Sequence, residues 1–372
     1  MRNFRAYLTL PGLGGITTRG GRTYDEEGLD WKSSFWHSRR RKFLLHSWTR
    51  KTVMLLLCGD LMVIGLLLHT IKPLISLMYH NKQLFTPQTG LPGLKTSDTW
   101  GQINQSNEIP RILHQTTATE VIPDDWVEPQ RSCKDAYLDF EYKLWTDDSA
   151  RNFLVVEYPW FVDIWDSYAF PIQRADAIRY FVLYHYGGLY LDMDTWCNKT
   201  IPVHAIESGT VIHHALFKPT LPTGITNDFM MATAKHPVYE AAIAKLPTFH
   251  AMTKFWARLQ PYCAIMISTG PLFLTLVVKD YLLKQPSLPS PTIWVIDTTE
   301  LGQYITDLES ATWHQSDARI FMWLSDKPFV WFSAGVLVLV TVLYVLNSMF
   351  IMVSKHQWWK VPYPGLKLTK AT

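Results

Sequence analysis

The stretch Ile172–Cys197, IQRADAIRYFVLYHYGGLYLDMDTWC, gathers Arg174, Asp176, Arg179, Asp192 and Asp194 within a short length of chain. Side chains two apart on an extended segment share a face, so Asp192 and Asp194 point one way and Met193 the other. A pair of carboxylates at a strand end is a hard-oxygen site. It suits Mn2+ or Mg2+ held jointly with a diphosphate, because phosphate and water complete the coordination shell. Taken alone, Asp-x-Asp also describes a solvated strand end. Asp176 and Arg179, three apart, also fit an ordinary helical ion pair worth about 0.2–0.5 kcal/mol. Further along, Asn227 and Asp228 are polar groups of the kind that cap a helix. Ser268, Thr269 and Gly270 precede Pro271, where a helix N-terminus can hold an anion or be plainly capped. His314, taken by itself, reads as a packed or solvated side chain.

These groups need elements to position them. Ala175, Ile178, Val182 and His185 recur at helical spacing, which predicts a helix over Ile172–Tyr186 ended by Gly187-Gly188. Leu189–Thr195 then reads as a strand with its acids at the carboxyl end, where open α/β sheets bind ligands. Arg111–Gln115, Tyr142–Trp145, Thr210–Leu216 and Thr292–Ile296 read as further strands. Asp228–Leu246 reads as a helix broken by Pro237, and Gly270–Leu283 as a helix opened by Pro271. Strands alternating with helices make this an α/β domain. Trp160, Phe161 and Trp165 read as core, with a nucleotide or membrane-surface role as the alternative.

The composition narrows the class. Sixteen Trp, seventeen Tyr and eighteen Phe in 372 residues exclude a disordered chain, and four Cys exclude a disulfide scaffold. The net charge of +3 averages unlike parts: residues 1–51 carry +7, residues 72–328 carry −7, and the tail from Ser354 carries +4. An acidic middle argues against nucleic-acid binding. Two apolar runs lie at the charge boundaries, Thr52–Ile71 and Phe329–Val353. Each is long enough to cross a bilayer core, although Asp60 lies within the first. Basic flanks predict both tails on the cytosolic side and a lumenal middle. The middle also carries two sequons, at Asn104 and Asn198. Cys133, Cys197 and Cys263 would lie in an oxidising lumen, where one disulfide can form, its pairing left open.

The motifs IPRILHQT (Ile109–Thr116), YKLWTDD (Tyr142–Asp148), EYPWF (Glu157–Phe161), PIQRADAIRYFVLYHYGGLYLDMD (Pro171–Asp194), TNDFM (Thr226–Met230), STGPLFL (Ser268–Leu274) and WHQSDAR (Trp313–Arg319) together carry a resemblance. The chain resembles the Asp-x-Asp glycosyltransferases of the family-32 type, and within them the fungal branch that mannosylates inositol phosphorylceramide. The resemblance implies an α/β, GT-A-like (Rossmann-like) domain over 108–328, flanked by transmembrane helices at 52–71 and 329–353. A basic tail (1–51), a lumenal stem (72–107) and a second cytosolic tail (354–372) complete the organisation. It further implies a retaining transfer of mannose from GDP-mannose to the inositol of inositol phosphorylceramide, assisted by Mn2+ or Mg2+, in a Golgi or ER membrane. Asp192, Asp194 and His314 would hold the metal. Arg174, Asp176, Arg179, Asn227, Asp228, Ser268, Thr269 and Gly270 would bind donor or acceptor. Arg174 and Asp176 would join Asp192 and Asp194 in the chemistry. A small membrane regulatory subunit is the implied protein partner. The alternatives are a Golgi mannosyltransferase acting on N-glycans or other glycans, and an inactive assembly subunit.

Overall fold

A computed structural model describes residues 30–87, 108–207, 214–220, 223–284, 292–308, 323 and 327–358. The chain divides into two compact units, Met1–Leu66 and Leu67–Thr372. In the first, the described residues are the opening part of one long helix, α1 (Asp30–Leu84). The remaining elements lie in the second unit.

That unit is built on a six-stranded mixed sheet. Its strands are β1 (Ile112–Thr116), β2 (Glu141–Trp145), β3 (Gly188–Leu191), β5 (Ala215–Pro219), β6 (Ile225–Ala232) and β7 (Ile293–Val295). The order across the sheet is β2-β1-β3-β6-β5-β7. Every neighbouring pair is parallel except the two made by β6, so a single reversed strand sits near the middle. A separate antiparallel ribbon joins β4 (Thr195–Cys197) to β8 (Ile305–Asp307). The helices of this unit are α2 (Asp124–Ala136), α3 (Asp147–Glu157), α4 (Val162–Ser167), α5 (Pro171–Tyr186), α6 (Val203–Glu207), α7 (Pro237–Thr253), α8 (Pro261–Ser268), α9 (Pro271–Lys284), α10 (Thr298–Leu301) and α11 (Pro328–Trp358).

The period of two along each strand decides the layers. Tyr190, Met230, Ala232, Phe217 and Val295 face one core together with α5, α7 and α9. Leu189, Leu191, Phe229, Met231, Leu216 and Trp294 face a second core with Cys133 of α2 and Tyr137 just past its end, Val203 and Ile206 of α6 and Leu301 of α10. A sheet buried on both faces explains the nearly unbroken apolar runs in β3 and β6. Cys133 and Cys197 form a disulfide that ties α2 to β4. Phe161 and Trp165 are buried as core, whereas Trp160 is 53% exposed.

Three expectations are corrected. The strand foreseen over Leu189–Thr195 is split, because the amide of Thr195 bonds back to the carbonyl of Asp192 at 3.2 Å and closes a turn. Asp228–Leu246 is not one broken helix. Residues through Ala232 belong to β6, which fills the slot between β3 and β5, and Pro237 opens α7 instead of interrupting it. The first apolar run does not give way to a stem at residue 72, since α1 continues to Leu84 despite Pro73. Packing outweighs the missing proline donor here. Leu77 and Phe85 are 1% and 4% exposed, the nearly buried Lys279 ammonium donates to the Pro73 carbonyl at 3.0 Å, and Asn81 accepts from the Gly224 amide at 3.2 Å. Residues 88–107 lie outside the described residues, as do 208–213 of the strand expected over Thr210–Leu216.

By length and composition, three stretches among the described residues can cross a membrane: Arg50–Leu84, Phe329–Val353 and Pro261–Lys284. The third is α8 and α9, 61% buried inside the domain, and its apolarity serves the core.

Candidate active site

Parallel strands β1, β2 and β3 end on one edge of the sheet, and the site grows from that edge. Helix α5 leads into β3 through Gly187 and Gly188, whose φ values of 69° and 97° lie in the left-handed region. A Cβ on Gly187 would come within 2.5 Å of the Ala234 amide nitrogen, and one on Gly188 within 2.5 Å of the Ile112 carbonyl oxygen. The turn therefore requires glycine twice. Buried His114 braces it. Its Nδ1 accepts from the Trp145 indole at 3.0 Å, so its Nε2 carries the proton and donates to the Gly187 carbonyl at 2.9 Å. Burial pushes the His114 pKa down to about 4, which keeps the imidazole neutral.

Asp192 follows directly on the end of β3. Its Oδ1 accepts from the Tyr190 hydroxyl at 2.7 Å and from Arg179 Nη1 at 3.1 Å, while its amide donates to the Asp228 carbonyl at 3.0 Å. Gln115, at the end of neighbouring β1, donates to the Asp192 carbonyl at 3.3 Å. Met193 is 3% exposed, and Asp192 and Asp194 on either side of it are half-buried. The expected alternation therefore survives although the residues form a turn. Asp194 is fixed from the other side, its carbonyl accepting from the Leu308 amide at 3.0 Å beyond β8.

Arg179 is the hub. Its guanidinium, almost fully buried, contacts Asp192 Oδ1 at 3.1 Å, Asp176 Oδ1 at 3.2 Å and the Asn227 carbonyl at 2.5 Å, and lies 4.6 Å from the Tyr190 ring centroid. Asp176, 4% exposed, accepts from Asn227 Nδ2 at 2.9 Å and from Thr269 Oγ1 at 3.1 Å as well. Desolvation raises the Asp176 carboxyl, against the pull of Arg179, Thr269 and Asn227. Ser268 accepts from Gln173 at 2.7 Å, and the Thr269 carbonyl accepts from Tyr180 at 2.5 Å. Gly270 lies between α8 and α9, its amide bonded to the Ile265 carbonyl at 3.0 Å. Arg174 turns elsewhere on the same edge: it donates to Asp147, at the start of α3 just beyond β2, at 2.7 and 3.1 Å. His314 lies outside the described residues.

Two groups that no motif announced complete the cluster. Lys218 of β5 places its ammonium 2.6 Å from Asp228 Oδ2 and 2.7 Å from Asp307 Oδ2. Asp307 lies opposite Thr195 in the ribbon, so its position depends on a pairing over more than a hundred residues. Neither residue carried a usable sequence signal. Tyr190 did, because it stands two before Asp192 on the same strand face.

Five carboxylates, at positions 176, 192, 194, 228 and 307, here accompany two cations, Arg179 and Lys218. Desolvation pushes the Asp192 carboxyl up to about 7, with Arg179 pulling it down and Asp228 and Asp194 adding to the rise. Its side chain still keeps 30% of its surface accessible, so it stands at the rim of the site. Asp228 is likewise raised by burial and by Asp307, and its Oδ1 is a buried acceptor with no hydrogen bond among the described residues. Among the described residues no three His, Cys, Asp or Glu side chains form a ready-made metal cage. The oxygen donors, the crowded negative charge and the accessible rim fit a divalent cation that takes its other ligands from a diphosphate.

Residues 123–213 match the family model described as "Glycosyltransferase sugar-binding region containing DXD motif". The chain is 37% identical over 262 residues to "Inositol phosphoceramide mannosyltransferase 3" of Schizosaccharomyces pombe, covering 68% of this chain and 70% of that one. It is 33% identical over 247 residues to "Inositol phosphoceramide mannosyltransferase 1" of the same organism, covering 64% and 73%. With "Mannosyl phosphorylinositol ceramide synthase SUR1" of Saccharomyces cerevisiae it shares 38% identity over 224 residues, 59% of this chain and 55% of that one. The edge chemistry and these likenesses agree: the chain is a glycosyltransferase and belongs to the DXD-motif family that includes the fungal inositol phosphoceramide mannosyltransferases.

Proposed function

We propose that this protein transfers mannose from GDP-mannose to the inositol of inositol phosphorylceramide, with retention at the anomeric carbon. The observation that carries this reading is the Asp192–Asp194 turn at the carboxyl end of β3, in a chain whose relatives are named for mannosyl transfer to inositol phosphoceramide. In the reaction the bond from the anomeric carbon to the diphosphate breaks and a bond to an acceptor hydroxyl oxygen forms. The hydroxyl proton passes to the departing phosphate, so no protein base is required. Asp192 and Asp194, with His314, would hold Mn2+ or Mg2+, which when bound supplies Lewis-acid stabilisation of the charge gathering on the diphosphate.

The chain's own residues do the positioning. Arg179 holds Asp192 toward α5 and offsets part of the desolvation that raises the Asp176 carboxyl beside it. Asp176, Asn227 and Thr269 form the polar wall against which the donor sugar lies, and Arg174 with Asp147 borders the same edge. Asp228 orients the turn through its carbonyl. The long apolar helices α1 and α11 support a two-span membrane protein with the enzyme domain lumenal, both tails cytosolic and the acceptor supplied from the bilayer of the Golgi or ER. A small membrane regulatory subunit belongs to the same reading.

The test is sugar transfer by membranes containing the full chain, given inositol phosphorylceramide and GDP-mannose. UDP-glucose serves as control donor and Asp194→Ala as control protein. Mannosylated lipid that disappears with EDTA and in the variant is the expected result. Donor hydrolysis without lipid product would move the acceptor to a glycan. A folded chain that neither transfers nor hydrolyses would make it an assembly subunit.

A further inference from the structure

The end of α7 and the turn leading into α8, residues 251–260 (AMTKFWARLQ), present an exposed apolar face. Successive turn bonds, from the Lys254 amide to the His250 carbonyl (2.9 Å) and from the Leu259 amide to the Trp256 carbonyl (2.9 Å), keep it close to helical. Thr253 and Ala257, four apart, point inward at 1% exposure each. Met252, Phe255 and Leu259 recur at helical spacing on the opposite side and are 58%, 93% and 79% exposed. Single exposed apolar residues are ordinary, but three on one face within eight positions are not. Trp256 is half-buried beside them, its indole donating to the Met252 carbonyl at 2.8 Å.

Along the chain through this face the charges have one sign. No acid occurs from Ala241 to Lys279, while Lys245, Lys254, Arg258 and Lys279 do. Lys245 is paired with Asp280 and Lys279 is buried, but Lys254 and Arg258 are exposed beside the apolar face. Another exposed apolar group, Val155, Val156 and Trp160, is interspersed with Glu157 and followed by Asp163, the wrong sign for an anionic surface. An aromatic and aliphatic face rimmed by cations is the composition of an interfacial membrane contact.

We propose that Met252, Phe255 and Leu259 insert into the surface of an anionic lipid bilayer, with Lys254 and Arg258 meeting its head groups. The position ties the contact to the active site. The turn leads directly into α8, about 12 Å long at 1.5 Å per residue, and the far end of α8 is Ser268, next to the Thr269 that bonds Asp176. The bilayer surface is thereby brought within one short helix of the polar wall. This deepens the lipid-acceptor reading and rests on it for its purpose, though the contact itself is measured without any acceptor.

The experiment uses the full chain in phosphatidylcholine vesicles, with and without phosphatidylserine. The vesicles carry a phospholipid bearing a photoreactive diazirine just below the head group. After illumination, mass spectrometry maps the labelled peptides, with α11 as positive control and the Val155–Trp160 segment as negative control. Label on residues 251–260 is expected. It should fall about threefold without phosphatidylserine or with Lys254→Glu and Arg258→Glu combined, and be lost in Phe255→Ser with Leu259→Ser. Both serine changes are at exposed positions, so thermal melting should stay that of wild type. In the same double variant, kcat/KM for the lipid acceptor should fall about tenfold, with donor hydrolysis unchanged.

An unlabelled turn beside a labelled α11 overturns the proposal, as does cross-linking of this face to a second copy of the chain. Label without any transfer to lipid by the wild type would leave the contact standing and remove the acceptor reading. Transfer without label would do the reverse.

Discussion

Replacing Lys218 by methionine removes a cation that contacts both Asp228 and Asp307, at 2.6 and 2.7 Å. At an effective dielectric near 20, a unit charge pair at about 4 Å contributes about 4 kcal/mol before desolvation is counted. Desolvation and the mutual repulsion of the two acids offset most of that gain while all three partners are present. Deleting the ammonium leaves the repulsion uncompensated, and breaking a buried pair from one side costs about 3–5 kcal/mol. The three side chains keep 20%, 21% and 33% of their surface, so water screens part of the loss. About 2–3 kcal/mol is expected, a fall in melting temperature of about 5–10 °C for a domain of this size.

The assay is thermal unfolding of the full chain in detergent with EDTA present. Lys218→Met should melt low near neutral pH, and the gap to wild type should narrow as pH falls and the two acids protonate. Adding Asp307→Asn to Lys218→Met should recover part of the loss, because it removes one of two facing charges. Equal melting of Lys218→Met and wild type, or a double variant less stable than the single one, would show that the three groups do not form a charge-balanced unit.

Arg179→Lys keeps the charge but loses the fork that reaches Asp176, Asp192 and the Asn227 carbonyl together, so sugar transfer should fall about 100-fold. Restored transfer at raised metal concentration would confine the defect to metal binding. His114 is held neutral with a pKa near 4, against 6.5 when unfolded. Between those values the unfolded chain takes a proton that the folded one refuses, so stability declines as pH falls, by up to about 3 kcal/mol. Denaturant melts at pH 7 and 4.5 should show a smaller difference for His114→Gln than for wild type. Reducing the Cys133–Cys197 bridge, which closes a separation of 64 residues, should destabilise the domain by about 4 kcal/mol. That is read as a lower melting temperature after dithiothreitol, absent in Cys133→Ser with Cys197→Ser.

Local patterns in the sequence were enough for α5, for the glycine turn after it and for the burial alternation through Asp192, Met193 and Asp194, because each depends on neighbours within a few residues. The strands around Ile112, Glu141 and Ile293 and the start of α9 at Pro271 were legible for the same reason. The resemblance supplied what periodicity cannot, a reason to read Asp176 and Arg179 as more than a helical ion pair. Tertiary structure decided the rest. Residues 228–232 became strand because β6 fills a slot between β3 and β5, and no local signal describes that slot. The helix through Pro73 continued because Leu77, Phe85 and Lys279 reward it. Lys218 and Asp307 joined the site through β5 and a ribbon closed over more than a hundred residues, and contacts of that range leave no period to read. The chemistry was written in the residues. The balance of its charges, five acids around two cations, exists only once the sheet has brought them to one edge.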